Sequence, residues 1–63
     1  MESITVLLVE DHPHLRQLFR GFLAEDPGIR LVGEAETGQE ARLLVEETLP
    51  DVALVDISIP GDG

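Results

Sequence analysis

The sequence has no cysteine and no lysine. Without cysteine there is no disulfide and no thiolate metal site, which suits a reducing compartment. Without lysine, four arginines face 13 acids, and the formal net charge is −9. Such a surface repels a phosphate backbone, so no direct nucleic-acid binding is expected of this chain. No stretch approaches the roughly 20 apolar residues of a membrane span. The opening MESITVLLVE lacks the basic start and small-residue cleavage site of a secretory signal. The expected setting is the cytoplasm, with no membrane partner. Repeats, low-complexity tracts and interdomain linkers are also missing. At 63 residues there is room for one small domain at most, and a single core of that size seldom supplies more than about 3–5 kcal/mol.

What is present is an alternation of apolar runs and helical patterns. Ile4 to Val9 (ITVLLV) is nearly continuous in hydrophobicity, as a strand buried on both faces should be, and it ends abruptly at Glu10-Asp11. Pro13 suits a first helical position, where its missing N–H costs nothing. Leu15, Leu18, Phe19, Phe22 and Leu23 then repeat at the spacing of one apolar helix face. Asp26-Pro27-Gly28 is a turn. Ile29 to Ala35 (IRLVGEA) reads as a strand whose imperfect alternation suits a sheet edge. Thr37 to Glu40 has the form of a capping box, and the helix behind it is expected to bury Ala41, Leu44, Val45 and Thr48. Leu49-Pro50 ends that helix, because the residue before a proline avoids the helical region. Asp51 to Ile57 (DVALVDI) is a third strand, and Pro60 to Gly63 a loop.

The order β-α-β-α-β with short connections predicts an α/β fold with a parallel sheet and right-handed crossovers. If the second strand lies on one side of the first and the third on the other, the strand order is 2-1-3. The helices then cover opposite faces, and the first strand marks the switch point where doubly wound folds bind ligands beyond the carboxyl ends of their strands. Glu10 and Asp11 lie just past the first strand and Asp56 near the end of the third, so three carboxylates are expected to gather there. Neighbouring strand residues point to opposite faces, so Glu10 and Asp11 can share a site only where the backbone turns out of the strand. Clustered carboxylates repel and need a cation. Oxygen ligands without histidine or cysteine suit Mg²⁺. A carboxylate can itself act as nucleophile and form an aspartyl phosphate, although this chemistry does not say which of the three acids does so. His12 and His14 read as exposed residues around the first helical turn, and Phe19 and Phe22 as core.

The segments VLLVEDHPHLRQLF, VGEAETGQEA and PDVALVDISIPG together resemble the receiver domain of two-component response regulators across essentially the whole chain. The resemblance implies a truncated doubly wound, flavodoxin-like sheet, with residues 1–63 as the first half of a receiver. It implies that Asp56 is the phosphoacceptor, served by a histidine kinase, and that the chain is not an enzyme. It further implies that Glu10, Asp11 and Asp56 hold Mg²⁺ with the Ser58 backbone carbonyl. DHPHLR and the Asp-Pro-Gly turn are most similar to regulators with a C-terminal helix-turn-helix output domain, so DNA would be reached only through that domain. Departures are Glu10 where aspartate is commoner, Ile59 where methionine often stands, and Gly63 one residue early for the family's loop glycine. The second half of a receiver carries a Ser/Thr switch residue and a lysine, and neither has a counterpart here. An unpaired third-strand edge is expected to drive homo-oligomerisation. Two other readings are a self-associating fragment without chemistry and half of a Mg²⁺-dependent aspartyl-phosphate hydrolase. The hydrolase family places a second aspartate two residues after the nucleophile, where this chain has Ser58.

Overall fold

The computed structural model describes residues 3–56. They form β1 (Ile4–Val9), α1 (Pro13–Ala24), β2 (Ile29–Ala35), α2 (Gly38–Thr48) and β3 (Val52–Val55). The sheet is parallel with order β2-β1-β3, so the two crossovers run in opposite directions. β1 takes the central place. Its Leu7, Leu8 and Val9 are buried, as is Ala35 of β2.

Side chains alternate across β1. Leu7 and Val9 face α2, where Ala41 and Leu44 close the cluster with Ala35. Gly33 makes room for that closure, since a Cβ there would lie 3.1 Å from Leu7 and 3.6 Å from Leu44. Leu8 and Glu10 face α1 and share a cleft with its Phe19. β2 pairs Leu31 with Val6 but Gly33 with Leu7, so Val32 is an extra residue in a bulge. The bulge explains the imperfect alternation of IRLVGEA. It sends Gly33 and Ala35 toward α2 and turns Glu34 toward α1.

Local chemistry sets the ends of the elements. Asp26 Oδ1 accepts from the Gly28 N–H at 2.8 Å in the turn before β2. Thr37 Oγ1 accepts from the Glu40 N–H at 3.1 Å, the forward half of the capping box. α2 ends as Leu49 swings into the left-handed region at φ 47°. That residue would be helical but for Pro50, and it is the only non-glycine residue among those described with positive φ. At the start of β3, Asp51 and Thr5 bond reciprocally. Asp51 Oδ2 accepts from the Thr5 N–H at 2.8 Å and from its hydroxyl at 3.0 Å. The Asp51 N–H in turn meets Thr5 Oγ1 at 2.9 Å.

Three expectations need correction. Leu15, Leu18 and Phe22 are exposed, leaving Phe19 and Leu23 as the half-buried residues of the apolar stripe. α1 leans on β1 and β2 through one edge of that stripe, and the stripe is wider than the contact. Val45 is exposed rather than buried, because it sits on the flank of α2 beyond the line of Ala41, Leu44 and Thr48. The third strand is shorter than expected: Asp51 and Asp56 flank it, and Ile57 lies outside the described residues.

Candidate functional site

β1 holds a neighbour on each side of its carboxyl end. The Glu10 N–H donates to the Ala35 carbonyl of β2 at 2.9 Å, and the Asp56 N–H donates to the Val9 carbonyl at 3.1 Å. Glu10 and Asp56 thus leave adjacent strands at the same level. Glu10 continues the Leu8 face and lines, with Asp56, a cleft of about 280 Å³ walled by Leu8, Phe19 and Leu54.

Glu10 is the one buried charged residue among those described, at 1% exposure. Its Oε2 accepts from the His12 N–H at 3.0 Å, but no donor reaches Oε1. The Asp56 carboxyl beside it is the largest cause of a raised Glu10 pKa, since a protonated Glu10 can hydrogen-bond it. Burial adds to the rise, and so does repulsion from the charges of Asp56 and Asp11, while the His12 N–H opposes it. A carboxylate held under these conditions calls for a positive partner.

The acid triad expected from the sequence is met only in part. Glu10 and Asp56 come together, whereas Asp11 is felt by Glu10 only through charge. Among the described residues no group of three acids or histidines is gathered tightly enough to close on a metal ion. Asp11 follows Glu10 where the chain leaves β1 for α1. Ser58 lies outside the described residues. His12 and His14 are exposed, with ring centres 5.8 Å apart.

Arg16 was not foreseen. Its Nη1 donates to the Glu10 carbonyl at 3.3 Å, and its guanidinium pairs with Glu34 at 3.5 Å and Glu36 at 3.4 Å. Arg20, one turn later, meets Glu34 at 3.2 Å. The available signal was two arginines at i, i+4 on one helix face matched by two glutamates at i, i+2 on a strand.

Residues 6–63 match the family model described as the response regulator receiver domain. The chain is 40% identical over 60 residues to the nitrate/nitrite response regulator protein NarL of Escherichia coli, covering 95% of this chain and 28% of that protein. It is 46% identical over 57 residues to a protein-glutamate methylesterase/protein-glutamine glutaminase of Syntrophus aciditrophicus, covering 90% of this chain and 16% of that one. The chain thus spans less than a third of these curated relatives. Among solved structures, the signal receiver domain of NarL from Mycobacterium tuberculosis superposes with a TM-score of 0.91 at 38% identity. That match covers 97% of this chain and 49% of the other. The matches favour neither the hydrolase-half reading nor the fragment without chemistry.

Proposed function

The chain belongs to the response regulator receiver domain family, and from that premise we propose that it is a phosphoacceptor module, phosphorylated on Asp56 by a histidine kinase in the cytoplasm. The observation that carries this reading is the buried Glu10 carboxyl, with one oxygen lacking a donor, set against Asp56 at the ends of neighbouring strands.

The donor set fits a hard cation, because its donors are carboxylate oxygens and one buried Glu10 oxygen has no hydrogen-bond donor. Glu10, Asp11 and Asp56 are the residues to hold Mg²⁺, with the Ser58 backbone carbonyl beside them. When bound, the ion offsets charge on the transferring phosphoryl group. An Asp56 carboxylate oxygen attacks phosphorus, the new O–P bond forms as the donor's P–N bond breaks, and the imidazole nitrogen leaves with the electron pair and takes a proton from water. Glu10, buried beside Phe19, presents its carboxyl to that event rather than to solvent. Residues 1–63 supply this half of a receiver. Relatives as different as a nitrate/nitrite regulator and a methylesterase share it, so the output, including a helix-turn-helix DNA-binding domain, belongs to segments beyond it. Pairing with a second copy, through the β3 edge that no described residue covers, is part of the same proposal.

Incubation with acetyl phosphate and Mg²⁺ followed by mass spectrometry tests the reading. A gain of one phosphoryl group in the wild-type chain, absent in Asp56→Ala, is the expected result. No gain, or an equal gain in the variant, overturns it.

A further inference from the structure

The peptide that joins Glu10 to Asp11 is held in an unusual way. The Glu10 N–H goes to the carbonyl of Ala35. The Glu10 carbonyl goes to Arg16, whose guanidinium is anchored by Glu34 and Glu36. These two glutamates flank Ala35 in sequence. One short stretch of β2 therefore fixes both polar groups of Glu10, one directly and one through Arg16. The bulge at Val32 makes this possible, because it turns Glu34 and Glu36 toward α1.

Ion pairs at partly exposed positions contribute little to stability. The Arg16 side chain is 21% exposed and Glu36 61%, so the contribution of this cluster is chiefly geometric. A planar fork can serve three acceptors at once, which a lysine ammonium on a flexible stem does poorly. The carbonyl of Glu10 belongs to the same peptide unit as the N–H of Asp11. Its orientation sets where the third acid of the site starts.

We infer that Arg16 is a positioning residue of the metal site: by fixing the Glu10–Asp11 peptide against β2 it holds the backbone from which Asp11 starts, beside the Glu10–Asp56 pair. The inference rests on the phosphoacceptor reading given above. It makes a prediction whose sign separates it from simple electrostatics. Removing a cation from beside an acidic cluster should by charge alone strengthen Mg²⁺ binding. Loss of positioning should weaken it, as changes to groups that orient metal ligands do, by about tenfold.

The test is a titration of the 63-residue chain with Mg²⁺ alone, followed through the assigned amide resonances of Glu10, Asp11 and Asp56. Wild type should show saturable shifts that Asp56→Ala abolishes. Arg16→Met should bind about tenfold more weakly. Arg20→Met, which removes the same charge and also meets Glu34 but does not reach Glu10, should stay within about twofold of wild type. Arg16→Lys should recover only part of the loss. If Arg16→Met does not fold, Arg16→Lys carries the test, because it keeps the charge and weaker binding there has no electrostatic cause. Unchanged or tighter binding in the Arg16 variants overturns the positioning role and leaves the phosphoacceptor reading standing. Absence of any saturable shift in wild type overturns that reading and this inference with it.

Discussion

β1 and β3 carry nearly the same message in sequence, VLLV and VALV, yet they meet different environments. β1 pairs on both sides and its four residues from Val6 to Val9 are buried. Among the described residues β3 pairs on one side only, and all four of its residues are exposed. Hydrophobicity along a strand reports that a segment is meant to be covered. It does not report what covers it. Place in the sheet decides that, because burial of a strand needs neighbours on two edges and layers on two faces.

The sharpest way to break this comparison is to truncate the same side chain in both strands. Leu7→Ala removes a fully buried residue at the β1–α2 junction and should cost about 2–5 kcal/mol. That rivals the whole stability of a domain this short, roughly 3–5 kcal/mol, so far-UV circular dichroism should report an unfolded chain. Leu54→Ala, at 40% exposure, should cost roughly half as much or less. Equal losses would contradict the picture of β3 as a half-covered strand.

A second experiment targets the open edge. If β3 pairs with a second copy, light scattering should give a mass that rises with concentration, and Ala53→Lys should bring it down to the monomer, since lysine blunts edge pairing. A wild-type monomer at every concentration would show that the edge does not recruit another chain.

A third concerns how β3 is fastened to β1. Hydrogen bonds from the Thr5 N–H and hydroxyl lower the Asp51 pKa below its ordinary 3.8. A depressed carboxyl contributes stability that is present above pH 3.8 and lost as pH falls through the lower folded value. The Thr5 amide should therefore lose protection from hydrogen exchange in acid before the Leu7 amide does. In Asp51→Asn this acid dependence should be gone. Persistence of the same acid step in the variant would assign it to another group.

The smallest effect lies in the connection that delivers the chain to β3. Leu49 adopts φ 47° and is 77% exposed. It carries the steric cost of the left-handed region and gains little from contacts. Leu49→Gly should raise the unfolding free energy by about 1 kcal/mol, read as a higher denaturant midpoint with an unchanged slope.

Much of the fold could be read before any coordinates. Pro13 placed the start of α1, Thr37 with Glu40 the start of α2, and Pro50 its end, because each acts on bonds within a few residues. β2 ran over Ile29–Ala35 as its composition suggested. Glu10 and Asp56 came together because both follow strands that the 2-1-3 order makes neighbours. What escaped reading depends on distant partners. Val45 and Phe22 satisfy the helical period but are exposed. Val32 looks like any strand residue, and only pairing with β1 reveals it as the bulge that turns Glu34 toward Arg16.

The sequence alone determined the element order, the parallel sheet and the acids at the strand ends, since these follow from local sterics and from the period of apolar residues. Tertiary structure decided which of two similar apolar strands is buried, which acid loses its solvent and which arginine holds the backbone beside it. Those outcomes depend on burial and on contacts between residues far apart in the chain, and neither is a property of any single segment.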